Sequence, residues 1–321
     1  MGTTVYFATN RVVTDAADAA GGYHAALVAP SNPAAVTYGT AFVTGVDAAS
    51  PAAPQGTVAR IGEVAAGRFP RAADADLSAP GRNLLVFLHG FDNTFSDALV
   101  RAAFNREWLA ASGQPGADAT VIAFCWPSRG RAAEFPLLAA DYEFDRHMAE
   151  QSGLHAMSFL ANLGPIIRRA RASRPGLRVT LLAHSMGNLA LQWAVESWFA
   201  HGNGGDAMFD QAILAAGDCP CDTFDQPNLA RLSGLGLLAR RVSTYYSRAD
   251  HVLQLSMAVN LGAQRLGQDG PRHRTDPALF PAPEYAMVDC SGFRDYGFGL
   301  LASHQYYRQS PGVRALIAAS L

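Results

Sequence analysis

Leu177-Arg178-Val179-Thr180-Leu181-Leu182-Ala183-His184-Ser185-Met186-Gly187-Asn188-Leu189-Ala190 decides how this chain folds. It opens as a short apolar run rich in β-formers and closes as the start of an amphipathic helix. Between the two lies Ala183-His184-Ser185-Met186-Gly187, a G-x-S-x-G pattern with alanine at its first position. A strand–turn–helix junction of this kind forces its serine onto a sharp, strained corner. The residues two before and two after that serine must be small, because strand and helix backbones pass close together there. Ala183 and Gly187 meet the demand, alanine less generously than glycine. The turn also sets Ser185 at a helix N-terminus, where unpaired N–H groups and the helix dipole favour developing negative charge. Ser185 is therefore the candidate nucleophile, and the alternative for it is a serine that only caps a helix.

Composition narrows the chemistry available to it. The 321 residues suit one large domain with an appendage, or two domains. A net charge of −2 gives no nucleic-acid footprint. All 25 basic residues are arginine. Without lysine there is no P-loop, no Schiff base and no Ser–Lys dyad, which leaves histidine as the base for a serine nucleophile. The four cysteines (125, 219, 221 and 290) form no zinc spacing and read as reduced thiols. The chain opens with no basic-then-apolar leader, and no run approaches the roughly 18 apolar residues of a membrane span. These features predict a soluble, cytoplasmic protein with no integral membrane association.

Outward from the elbow, the chain alternates buried strands with helices. Asn83–Leu88 is an apolar run of strand length that ends at His89-Gly90-Phe91-Asp92. A helical pattern covers about 95–111, and Thr120–Trp126 is a strand stopped by Pro127. Apolar residues recur at helical spacing over 145–171, and strands follow at 211–216, 241–246 and 285–289. Such alternation predicts a mostly parallel central sheet with helices on both faces and a site at the carboxyl ends of its strands. Residues 1–64 are β-rich and 65–82 read as a connecting loop, so 1–80 is set apart as an N-terminal extension and linker before a catalytic domain at 81–321.

Val86–Thr94, Cys125-Trp126-Pro127-Ser128-Arg129-Gly130 and Leu182–Asn188 together resemble the α/β-hydrolase superfamily. They are most similar to a bacterial family of uncharacterised esterase- or lipase-like members. Its opening Ala-Thr-Asn-Arg is matched by Ala8-Thr9-Asn10-Arg11. Further matches are Tyr246–Asp250, Arg265-Leu266-Gly267 and Ser303-His304-Gln305-Tyr306-Tyr307. The resemblance implies an α/β-hydrolase fold and a serine esterase working through an acyl-enzyme, with a small-molecule ester as substrate and no cofactor or metal. Thioesterase or acyltransferase chemistry would use the same residues, and a non-catalytic scaffold that only binds is the alternative from another class.

The superfamily order of serine, acid and histidine points to His304 as the base, with His251 and His273 as rivals. Asp250, after the strand at 241–246, is the candidate acid; Asp218 and Asp289 also end strands. The oxyanion hole is expected from the backbone amides of Met186 and Phe91. His184 and His89 read as packing residues. Arg129 is expected to tie a loop in preference to pairing with a substrate anion. Segments 127–145, 217–233 and 263–283 are candidate cap-forming insertions.

Overall fold

The computed structural model describes residues 2–49, 55–114, 117–130, 137–297 and 299–321. Its strands in chain order are β1 (Gly2–Thr9), β2 (Arg11–Val13), β3 (Tyr23–Leu27), β4 (Thr37–Thr44), β5 (Thr57–Glu63), β6 (Asn83–Leu88), β7 (Ala119–Cys125), β8 (Val179–His184), β9 (Gln211–Ala215), β10 (Val242–Tyr246) and β11 (Tyr285–Asp289). Nine of them form one sheet in the order β11-β10-β9-β8-β6-β7-β1-β4-β5, and β2 and β3 pair separately. From β11 through β1 every neighbouring pair is parallel; β4 runs antiparallel to both β1 and β5.

The continuous apolar runs follow from having both faces of this sheet covered. Successive side chains on a strand point to opposite faces. Leu84, Val86 and Leu88 join one core with Leu181, Ala183 and residues of the helices Gly153–Ser173 and Gly187–Ala200. Leu85 and Phe87 join the other, with Leu182, Ile213 and residues of the helices Phe95–Ala110 and Pro311–Ala319.

Two elements differ from the sequence reading. The sheet continues through residues 2–63 with no break at residue 80: Val5 and Phe7 lie in one core and Tyr6 and Ala8 in the other, so β1 is buried on both faces and pairs with β7 over five positions. The helical pattern at 145–171 is two helices, Leu137–Gln151 and Gly153–Ser173. Gly153 lets the second approach the helix at 187–200, since a Cβ there would lie 2.6 Å from the Trp193 Cβ. Among the described residues no helix is long and apolar enough to cross a membrane.

The chain path reverses at β6. From β6 it moves to β7 on one side, then returns to lay β8 on the other. In open parallel sheets such a switch point leaves a crevice at the carboxyl ends of the strands. His89-Gly90 leaves β6 there, and Ser185 leaves β8.

Candidate active site

The elbow is built by backbone contact before any side chain takes part. Ser185 has φ 54°, the left-handed region that costs a non-glycine residue about 1–3 kcal/mol. Its amide donates to the Ala215 carbonyl (3.0 Å), completing the β8–β9 ladder, and its carbonyl accepts from the amides of Asn188 and Asp218 (3.0 Å each). The Asn188 side chain donates to the carbonyls of Ala183 (3.1 Å), Ser185 (3.1 Å) and Ala215 (3.3 Å), tying strand, corner and neighbouring strand together. A Cβ on Gly187 would lie 2.5 Å from the His89 carbonyl oxygen, and one on Gly90 would lie 2.8 Å from the Ser185 Cβ. Both glycines let the β6 loop and the elbow touch.

Three side chains converge on this corner. The His304 Nε2 is 2.7 Å from the Ser185 Oγ, and its Nδ1 is 2.7 Å from the Asp250 Oδ2. A carboxylate only accepts, so Nδ1 carries the proton and Nε2 is left to accept from the serine hydroxyl. Ser185, Asp250 and His304 are 3%, 0% and 5% exposed, so water competes little for these bonds. Asp250 does two jobs with its two oxygens: Oδ1 accepts from the Leu253 amide (3.0 Å) and caps the helix His251–Val259, while Oδ2 holds the imidazole. His304 is the last residue of the helix Leu300–His304.

The rival groups are engaged elsewhere. Asp218 accepts from Arg265 Nε (2.8 Å) and Ser256 Oγ (2.6 Å). Asp289 is held by Arg248 (3.1 Å) and by the Ser291 amide (2.9 Å). His251 pairs with Gln254 at the surface, and His273 is half exposed, 3.6 Å from Asp225. His184 is buried beneath the base, its ring 5.0 Å from that of His304 and 4.5 Å from that of Tyr307.

The β6 loop has its own clamp. The Asn93 side chain donates to the carbonyls of Gly90 (2.9 Å) and Phe91 (2.8 Å), and His89 Nδ1 also lies 2.9 Å from the Gly90 oxygen. In a trans peptide the N–H points opposite to the C=O. Fixing the Gly90 carbonyl on Asn93 and His89 thus turns the Phe91 N–H the other way. Neither that amide nor the Met186 amide donates to a protein acceptor among the described residues. His89 stacks on Trp126 with centroids 4.8 Å apart, and its Nε2 lies 3.1 Å from the Trp126 carbonyl. Burial, helped by the charge of Arg11, outweighs the upward pull of the Gly90 and Trp126 carbonyls and brings its pKa down to about 3, so the neutral ring donates from one nitrogen at a time.

A family-wide sequence profile described as alpha/beta hydrolase of unknown function (DUF900) matches residues 71–320. The chain belongs to this family. The α/β-hydrolase fold expected from the elbow, the β6 loop and the strand order is therefore the fold it has. Among solved structures, this α/β hydrolase is similar to the PEG-bound complex of a novel cold-adapted esterase from an Arctic intertidal metagenomic library. They share 9% identity, with 89% of each chain covered and a TM-score of 0.38. It is also similar to TT1662 from Thermus thermophilus, with 14% identity, 74% of this chain and 87% of that one covered, and a TM-score of 0.33. No curated protein matches it.

Several polar groups around the hydrolase site escape a reading of the sequence. Asn188 and Asn93 stand in motifs noted above, yet nothing local says that their amides pin carbonyls of the elbow and the loop. Asp145, in the middle of a helix, is buried and accepts from Ser128 Oγ (2.5 Å) and the amides of Asp92 (3.1 Å) and Arg129 (3.0 Å). It joins the β6 and β7 loops. Arg129 has the loop-tying role expected of it: its guanidinium pairs with Asp141 (2.7 Å) and lies 3.8 Å over the Phe144 ring. The candidate cap segments meet through Tyr142, Ser256, Asn260, Asp218 and Arg265, and Tyr142 packs near Phe91 at 5.9 Å between ring centroids. Residues 131–136 of the first segment lie outside the described residues.

Proposed function

We propose that the protein is a serine hydrolase of carboxylic esters. One observation carries the reading: a buried relay of two 2.7 Å contacts runs from Ser185 Oγ through His304 to Asp250, with the serine strained at φ 54° on its elbow. Ser185 attacks the ester carbonyl as His304 takes its proton at Nε2. The Asp250 carboxylate holds the ring through Nδ1 and stabilises the imidazolium that forms. The tetrahedral oxyanion is received by the amides of Met186 and Phe91, the first at a helix N-terminus and the second aimed by Asn93. Collapse expels the alcohol, which takes the proton from His304 and leaves an acyl-serine. Water, deprotonated by the same histidine, releases the acid and restores the serine.

A fluorophosphonate probe tests this directly. It should label the wild-type protein at Ser185 and leave Ser185→Ala unlabelled, and p-nitrophenyl acetate hydrolysis should fall with the label. Equal labelling of the two proteins, or none of either, removes the proposal and favours a scaffold that binds without catalysis.

A further inference from the structure

The Ala8-Thr9-Asn10-Arg11 motif takes no part in the relay, and its last residue is placed unusually. Thr9 Oγ1 donates to the Cys125 carbonyl (2.6 Å), and Asn10 Nδ2 donates to Ser152 Oγ (2.9 Å). Arg11 then turns inward at the carboxyl end of β1. It is 1% exposed, and its guanidinium makes one hydrogen bond among the described residues, from Nη2 to the Asn93 carbonyl (2.9 Å). Its Nε is buried without a partner. The carboxylates of Asp145 and Asp97 act on it through space, and neither forms an ion pair with it among the described residues. A buried guanidinium with one hydrogen-bond acceptor in direct contact is costly to the fold. Burial depresses the Arg11 pKa to about 10, which still leaves it cationic at neutral pH.

Arg11 lines a cavity of about 520 Å³ together with Thr94, Ser128, Arg129, His24 and Ala25. That volume is in the range of small-molecule sites. Its lining includes two guanidinium groups and an imidazole but no Asp or Glu. Thr94 and Phe95 bring in the start of a sixteen-residue helix, whose positive end is already capped by the Asp97 carboxylate on the Thr94 amide (3.0 Å) and hydroxyl (2.6 Å). Arg129 is already paired with Asp141, so Arg11 is the cation left for a ligand.

We propose that this cavity binds a small organic oxyanion, a carboxylate or a phosphate monoester, with Arg11 as its principal contact. The ligand's negative charge offsets that of the buried Arg11 guanidinium at the cavity wall. The site lies at the ends of β1 and β7, apart from the β8 elbow, and it holds whether or not Ser185 is a nucleophile. Arg11 grips Asn93, which also clamps the loop bearing Phe91, so the two sites share one loop.

Calorimetric titration in chloride-free buffer tests it, with glycerol 2-phosphate in one arm and succinate in the other. Saturable one-site binding is expected in at least one arm, and the arm that binds names the ligand class. Arg11→Gln should weaken it about tenfold or more, the loss of a charge-assisted hydrogen bond. Ala25→Trp, which fills the cavity and leaves Arg11 in place, should abolish it. Absence of saturable binding in both arms overturns the proposal. So does unchanged binding in Ala25→Trp, which decides the matter alone if Arg11→Gln fails to fold. Loss of fluorophosphonate labelling with anion binding intact would sink only the hydrolase reading.

Discussion

Ser185 is held by what its neighbours lack. Gly187 and Gly90 carry no side chain where the β6 loop crosses the elbow, and the clearances there leave no room for one. Gly187→Ala would push a methyl group to 2.5 Å from the His89 carbonyl, which must then move along with the Gly90–Phe91 peptide. Overpacking of this kind costs about 1–3 kcal/mol. We expect a lowered melting temperature and a loss of p-nitrophenyl acetate hydrolysis larger than the stability change explains, because the displaced peptide carries the Phe91 amide. A variant as active and as stable as wild type would show that the loop yields freely. Ala183 is fully buried in the same crossing, and the structure accommodates its methyl group.

At the scale of one element, the helix His251–Val259 is started by the carboxylate that also orients His304. The two roles separate by substitution. Asn caps helices about as well as Asp, whereas Ala forfeits about 1 kcal/mol of capping. Asp250→Asn should therefore leave thermal stability close to wild type while turnover falls roughly 10⁴-fold, because an amide no longer holds the imidazole in the productive tautomer. Asp250→Ala should lose comparable activity and about 1 kcal/mol more stability. Asp218→Asn should behave the opposite way, weakening a buried pair with Arg265 and lowering stability with a far smaller effect on turnover. Steady-state kinetics beside urea unfolding would separate the three. A loss of only a few-fold for Asp250→Asn removes it from the proposed relay.

The whole molecule carries a pH signature of three buried histidines, His89, His184 and His155, each held below its ordinary pKa by burial. Burial and the Arg11 charge bring the His89 pKa down to about 3 from an ordinary 6.5, and burial with the neighbouring His304 holds His184 well below 6.5. Below pH 6.5 the unfolded chain takes up protons that the folded chain refuses. The stabilisation is thus complete above pH 6.5 and is lost as pH falls toward about 3 at His89. Each ring adds up to about 1.4 kcal/mol per pH unit to that slope. Urea unfolding between neutral pH and about pH 5 should show stability falling with acidity, and His89→Gln should reduce the slope. Equal slopes in the two proteins would mean that His89 is protonated in the fold.

The sequence by itself determined the class of fold and the place of the corner. A fully apolar strand, a small-x-Ser-x-Gly turn and a following helix are local patterns, legible because each depends on neighbours a few residues apart. The helix at 95–110 and most sheet strands were visible for the same reason. Tertiary structure alone decided which side chain each carboxylate faces. Asp218, Asp250 and Asp289 all follow strands, yet one meets Arg265, one His304 and one Arg248, across separations of 47, 54 and 41 residues. It also decided that β1 enters the sheet beside β7, which buries Arg11 at the strand end. Ladder pairing and buried charge are settled by what lies a few ångströms away in space, and the periodicity of a chain reports only what lies close along it.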